Sequence, residues 1–342
     1  MKIAEVVNPP EVDEQVLHLR AKNKQLGKTV GQLRCIIGQQ KEMARMVAAA
    51  ITAAEPFKRE PWQRPARPGS PVVAVIKFSD WHIGEIIHKA ETEGFGYYSW
   101  RVAQARLLGI VNSFLAWVET QRAGYRIDRC VVFGEGDYIS GDLHRELSVT
   151  NEFPVPVQTA HAGLLLGEAI LLLSRHFAEV EVIEVGADNH GRLTPKPQFK
   201  QKAENSLSYL VHIIANCFTA KLPNVQAVQL VAMKHLAKVA GYKFLIEHGD
   251  VVRAWMGIPY YGIEREAGRE ARRRMNGGRG FHYQSIGHWH VPAWVAGNIL
   301  INGSLSGTSE YDHGVGRHAR PSQVAFLVHP KHGVFNFIPF QV

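Results

Sequence analysis

Cysteine is nearly absent: 342 residues carry three, Cys35, Cys130 and Cys217, far apart and forming no C-x-x-C. So few cannot staple a chain of this length, which excludes a disulfide framework and leaves reduced packing residues. Long apolar runs are missing as well. No stretch of about 18 apolar residues occurs, and the opening "MKIAEVVNPPEVDEQ" lacks a basic start followed by an apolar core. Neither a membrane span nor a secretory leader is expected, so the sequence reads as a soluble, cytoplasmic protein with no membrane partner. Negative charge is the third shortfall: 31 Asp and Glu face 39 Lys and Arg, for a net +8. Such a balance invites a polyanionic partner, although it serves solubility equally well. Residues 1–70 hold 12 Lys/Arg and 7 Asp/Glu, leaving 27 and 24 for the rest, so the short amino-terminal segment is the more basic. No internal repeat is evident.

What is present suffices for a sizeable core: 46% of the residues are hydrophobic and 20% charged, as in an ordinary globular protein of one large or two moderate domains. Steps of four and three from Leu19 visit Asn23, Leu26, Val30, Leu33, Ile37, Gln40, Ala44, Val47 and Ile51, a mostly apolar seam with heptad spacing. Gly27, Gly31 and Gly38 each weaken a helix by about 1 kcal/mol relative to Ala. Residues 1–54 therefore read as a helical arm that needs a partner surface, either a coiled coil with a second copy or its own domain. Five prolines within residues 55–71 forbid helix continuation, which makes residues 55–70 a basic, extended linker.

From residue 71 to 342 short apolar runs recur: "VVAVIKF", "RCVVFG", "VEVIEVG", "YKFLIEHG", "FHYQSIG", "NILING", "VAFLVHP" and "VFNFIPF". Helical stretches such as "VAQARLLGIVNSFLAWVETQ" and "VQTAHAGLLLGEAILLLSRHF" lie between the early ones. Alternation of this kind predicts an α/β domain with helices covering its sheet. Several runs end in metal-ligand chemistry. The first ends in "DWHIG", and residues two apart in extended chain point the same way, so Asp80 and His82 can grip one ion; a strand-end Asp serves equally as a turn or cap residue. The later runs deliver Asp137, then Asn189 and His190, then His248, then His288 and His290. In open α/β sheets ligands bind beyond the carboxyl ends of strands, where residues distant in sequence converge.

In that order, "DWH", "GD" at 136–137, "NH" at 189–190, "EHGD" around 248 and "GHWH" at 287–290, the chain resembles the calcineurin-like metallophosphoesterases, whose pattern runs D-x-H, G-D, G-N-H, a lone His and G-H-x-H. The resemblance covers about residues 71–342. It implies a two-sheet αββα sandwich and two divalent metal ions. One would be held by Asp80, His82, Asp137 and His290, the other by Asp137, Asn189, His248 and His288, with Asp137 bridging and His190 as the non-ligating imidazole beside the phosphate. Manganese is the leading expectation, with iron, zinc and nickel compatible with the same donors. Two such cations hold a hydroxide nucleophile and clamp both oxygens of an in-line displacement at phosphorus. The chain departs from the family twice. "GDYISGD" places Asp142 five residues beyond Asp137, and "GADNHGR" puts no carboxylate after His190, leaving Asp188 on its other side as a partner if the turn permits.

Substrate residues are less marked. Arg192 can fork onto a phosphate or sit solvated in its loop. His144 and Asn151 follow the bridging aspartate and are within reach of substrate. Residues 264–280 hold six arginines against three glutamates, among them Arg272, Arg273 and Arg274; these contact a phosphodiester backbone or form a solvated helix with Glu–Arg pairs. Aromatics in "WMGIPYYG" stack on bases or pack in the core. Three readings stay open: a nuclease acting on a nucleic-acid partner, a phosphatase or cyclic-nucleotide phosphodiesterase for small substrates, and a binding or assembly protein with a vestigial site.

Overall fold

The computed structural model describes residues 16–31, 34, 38, 41, 45, 69–143, 146–230, 232–254 and 259–342. It divides the chain into two units, Met1–Ala53 and Ala54–Val342. In the first, helix α1 runs over residues 16–31 and is exposed along its length, Leu19, Asn23, Leu26 and Val30 included. The remaining heptad positions, Leu33, Ile37, Gln40, Ala44, Val47 and Ile51, lie outside the described residues, as do 55–68 of the linker.

The second unit is built on two sheets. The first has the order β11-β10-β1-β2-β3-β4, the second β5-β6-β7-β9-β8. Strands β1 (Ser70–Phe78), β2 (Tyr125–Gly134), β3 (Glu179–Val185) and β4 (Val225–Leu230) run parallel to one another. Antiparallel β10 (Ser322–His329) and β11 (Gly333–Gln341) extend the β1 edge. In the second sheet β6 (Tyr242–Glu247), β7 (Tyr283–Ile286) and β9 (Ile299–Ile301) are parallel, with β5 (Lys234–Val239) and β8 (Ala293–Val295) antiparallel at the edges.

Period-two side chains divide the first sheet between two cores. Ala74, Ile76, Phe78, Cys130, Val132, Val180 and Val182 face one cluster with the helices, while Val75, Val131, Phe133, Ile183 and Val185 face Phe244, Ile246 and Leu300 of the second sheet. Near-continuous apolar strands follow, because both faces are covered. Helix α2 (Trp100–Gln121) buries Ala103, Leu107, Ile110, Val111, Phe114, Leu115 and Val118, a single stripe at helical spacing. Beyond the single turn α3 (Leu147–Thr150), helices α4 (Val155–His176) and α5 (Leu207–Thr219) join it on that face. By length and apolarity α4 would cross a membrane, but Leu165, Leu166, Ile170 and Leu173 are spent in the core. On the far face of the second sheet α6 (Pro259–Met275) packs Ile263 and Ala267 against Ile286, Ile299 and Ile301. The layers are thus α, β, β, α, as expected from the sequence.

One buried ion pair ties the sheets together beneath their carboxyl ends. Lys77 of β1 reaches across to the carbonyls of Ile286 (3.0 Å) and Leu300 (2.7 Å) and to the Glu135 carboxylate (3.2 Å). Glu135 in turn accepts from Ser285 Oγ at 2.5 Å. The ammonium therefore bonds carbonyls of one sheet while belonging to the other. That registers the strand ends that carry the expected ligands.

Candidate metal centre

Every residue expected as a ligand leaves a strand's carboxyl end: Asp80 and His82 after β1, Asp137 after β2, Asn189 after β3, His248 after β6, His288 and His290 after β7. The first two loops are laced together by backbone bonds: Asp80 N to Gly136 O (3.0 Å), Trp81 N and His82 N to Asp137 O (2.9 and 3.1 Å), and Ile83 N to Tyr138 O (3.0 Å). Within the second sheet's loops Gly287 N bonds His248 O (2.9 Å) and Ser304 N bonds His290 O (3.2 Å), and Leu305 N bonds Asp80 O (3.0 Å) across the two sheets. Close approach is permitted by glycine where needed. A Cβ on Gly287 would lie 2.6 Å from Asp80 Oδ2, and one on Gly141 would lie 2.3 Å from His190 O.

Three sets of donor atoms converge to within 4.8 Å: Asp80, His82 and His290; His82, Asp137 and His190; Asp137, His248 and His288. All of these residues except His190, His288 and His290 are buried, and those three are partly so. Individual separations are His82 Nε2 to His290 Nε2 3.2 Å, His290 Nε2 to Asp80 Oδ1 3.6 Å, His248 Nε2 to Asp137 Oδ2 3.0 Å and His248 Nε2 to Asn189 Oδ1 2.8 Å. Ligand bonds of about 2.1 Å subtend donor-to-donor edges of about 3.0–3.4 Å, so these spacings are close to the edges of a coordination polyhedron. The donor sets are spaced to hold a divalent ion.

In three of the imidazoles the far nitrogen has a partner of its own. His248 Nδ1 donates to Glu135 O (2.7 Å), His190 Nδ1 to Ser140 O (2.7 Å), and His290 Nδ1 faces Asp312 Oδ2 (3.4 Å). In His248 and His290 this aims Nε2 at the centre, the arrangement that orients metal-ligating histidines. Asp312 is itself pinned by Ser309 Oγ (2.9 Å), in the capping box that starts the short helix α7 (Glu310–Gly314).

Charge is strongly redistributed. Burial alone would lower His248, but the adjoining Asp137 carboxylate outweighs it and pushes the imidazolium up to about 10. Burial likewise opposes His290, which its hydrogen bond to Asp312 and the nearby Asp80 charge lift to about 9. Asp137, despite burial, is held well below the carboxylate range by His248 and His190. Burial raises Asp80, and burial with neighbouring imidazolium charge drops His82 and His288.

Other expected residues are placed as follows. Asp188 does not meet the His190 ring: it accepts from Asp137 N (2.8 Å), Gly191 N (3.1 Å), Ser206 Oγ (2.9 Å) and Ser208 Oγ. It is the keystone of the Asp137–Asn189 loops. Arg192 turns inward, onto Asn189 O and Thr194 O (3.1 Å). Asn151 Nδ2 bonds Gly141 O at 2.5 Å, bracing the loop against His190. Asp142 is exposed; His144 lies outside the described residues, as does "WMGI" of the aromatic stretch. On α6, Arg273 and Arg274 are ion-paired with Glu270 (2.8 and 3.1 Å), and Arg272 is exposed. Sequence reasoning missed Asp312 and Ser140. The S-x-x-D of the Ser309–Asp312 capping box was a legible sign that an acid closes a helix there, though not that it reaches a histidine; a backbone carbonyl such as that of Ser140 leaves no sign at all.

No protein-family model matches the chain, and no curated protein matches it. Solved structures similar to it include a single mutant of Vps29 from Entamoeba histolytica, at 14% identity and TM-score 0.33, covering 78% of this chain and 99% of that one. Vacuolar protein sorting 29 from Cryptosporidium parvum matches at 13% identity and TM-score 0.32, over 79% and 99%. A conserved protein of Streptococcus pneumoniae described as a predicted phosphoesterase matches at 13% and 0.26, over 53% and 91%. At similarities this low, the αββα architecture rests on the chain's own layers and strand order.

Proposed function

We propose that the chain is a metal-dependent phosphodiesterase that hydrolyses nucleic acid. The observation that carries the phosphoesterase reading is Asp137, whose carboxylate belongs to two donor sets at once, one with His82 and His190 and one with His248 and His288; Oδ2 meets His248 Nε2 at 3.0 Å, while Oδ1 accepts from the backbone N–H of His190 (3.0 Å). A shared carboxylate is what lets two cations approach closely. When bound, such ions supply an activated water and charge stabilisation for an in-line displacement at phosphorus. Asp80, His82, Asn189, His248, His288 and His290 would hold and orient them. His190, with Nδ1 committed to Ser140 O and its ring centroid 4.5 Å from that of His82, would give a proton to the departing ester oxygen as the P–O bond breaks. The net charge of +8 favours a polymeric anion as substrate. A small phosphate ester is the second reading, favoured by Glu270, which neutralises two of the arginines that a polymer would use.

The test is reconstitution with Mn²⁺, elemental analysis, and assay on bis-p-nitrophenyl phosphate, p-nitrophenyl phosphate and labelled single- and double-stranded DNA. Up to two ions per chain are expected, with both occupancy and activity lost in Asp137→Asn. His190→Ala should keep its metal but turn over about 10²–10⁴-fold more slowly. A metal count of zero in folded protein would end the reading, and rapid monoester hydrolysis without DNA cleavage would replace the nuclease with the small-substrate enzyme.

A further inference from the structure

Residues 191–205, between His190 and α5, form a loop with a fixed base and a bare crown. The base is closed by Leu193 N to Asn205 O (2.9 Å), Leu207 N to Gly191 O (2.7 Å) and a bridge between Arg192 and Ser206. Both sides of it are tied to ligand loops: Arg192 donates to Asn189 O, and Lys202, only 7% exposed, is paired with Asp250 at 2.5 Å, two residues beyond His248. The crown, "PKPQFK" at 195–200, is exposed throughout. Phe199 is 74% exposed and Leu193 57%. Pro195 and Pro197 restrict its backbone, and Thr194 Oγ1 donates to Lys196 O (2.8 Å). No acid occurs from Gly191 to Ala203, and the basic groups Lys196 and Lys200 flank the aromatic ring.

An exposed phenylalanine between two lysines, on a loop whose base is tied to the loops of the candidate centre, has a specific chemical complement. Lysines neutralise phosphates. The face of the ring takes an unpaired base; paired bases are stacked inside a duplex and cannot reach it. We propose that this crown binds single-stranded nucleic acid, a base on Phe199 and flanking phosphates at Lys196 and Lys200, guiding the strand past the centre. The proposal rests on the phosphodiesterase reading above.

Full-length, metal-loaded protein is titrated against fluorescent phosphorothioate oligothymidylate and its ribose counterpart, which resist cleavage, and anisotropy is read over a range of salt. Phe199→Ala is expected to weaken both by between about 5- and 100-fold, with Phe199→Trp restoring affinity. Replacing Lys196 and Lys200 by Gln should reduce the slope of log K against log salt by about 1.4, at about 0.7 for each phosphate contact on a single strand. Metal content and melting temperature check that the variants are intact. Wild-type affinity in Phe199→Ala would overturn the crown while leaving the nuclease reading standing. A wild-type protein that binds no oligonucleotide but hydrolyses bis-p-nitrophenyl phosphate would remove the nucleic-acid reading and the crown with it. Phe199-dependent binding to phosphatidylserine vesicles in place of oligonucleotides would overturn the proposal in favour of a lipid surface.

Discussion

Asp80, His82, Asp137, His288 and His290 all adopt left-handed backbone, with φ between 50° and 66°, where a side chain other than glycine's is disfavoured by about 1 kcal/mol or more. Five such residues in one centre mean that donor placement is set against local preference by the laced loops around it. Spacing of D-x-H led to a convergent Asp80 and His82 through period two of an extended strand; the structure brings them together beyond the end of β1, through two left-handed residues either side of Trp81. The residue types were legible, the backbone that aims them was not. Protonation at this scale makes a prediction. In the metal-free centre the raised values of His248, about 10, and His290, about 9, keep a proton on each Nε2 at pH 7.5, where a cation would otherwise sit. These protons stabilise the metal-free fold at neutral pH, and that contribution fades as pH rises through 9 and 10. Metal binding must expel them, so its affinity should fall as pH falls below about 9. Calorimetry in buffers of different ionisation enthalpy should count about two protons released on full loading at pH 7.5. Asp312→Asn, which removes the charge behind His290, should release fewer and bind metal about 10–100-fold more weakly. Unchanged release and affinity would show Asp312 to be only a helix cap.

Among the elements, eight apolar runs seen in the sequence are strands β1, β2, β3, β6, β7, β9, β10 and β11. Those that went unread, β4, β5 and β8, each lie at a sheet edge. An edge strand needs no apolar face on both sides, so "VQAVQL" and "KHLAKV" carry no hydrophobic run to read. Helix α6 was read from its charges, yet its docking depends on partners far away in sequence: Lys234 of β5 bonds Glu247 of β6 and Glu270 of α6, both at 2.9 Å. Lys77 was taken as part of an apolar run, and its role as the tie between sheets is visible only in three dimensions. Burial lowers its pKa against the pull of Glu135, and burial raises Glu135 to about 7. Lys77→Met leaves a buried carboxyl without its cation, a change that costs about 3–5 kcal/mol when the remaining charge is uncompensated. A carboxyl with a raised folded value stabilises the protein below its ordinary pKa and loses that contribution as pH rises through the folded one. Urea unfolding of Lys77→Met should therefore show a loss that is largest at pH 8 and shrinks toward pH 5. An equal loss at both would mean that packing, not the orphaned Glu135 charge, sets the cost.

For the whole molecule, the two units differ in what they leave uncovered. The αββα unit spends its apolar stripes internally, between the sheets and under α2, α4, α5 and α6. Helix α1 does not: Leu17 is 63% exposed, Leu19 60% and Leu26 54%. A helix of this length gains little from propensity alone, and Gly27 and Gly31 weaken it further, so its stability has to come from an apolar partner surface. Heptad spacing from Leu19 to Val30 makes a second copy of the same helix a fitting partner, with the seam burying leucine and valine at alternate steps of four and three. A chain beginning near residue 70 should then be smaller in solution than the full-length protein by more than the mass removed, as read by light scattering. It should nonetheless keep its metal content, because every ligand named above lies after β1 begins. Replacing Leu19 and Leu26 together by Lys tests the same seam without truncation and should dissociate the assembly in the same way. If full-length protein, truncated chain and double variant share one oligomeric state, pairing between copies is excluded and the arm folds against its own domain.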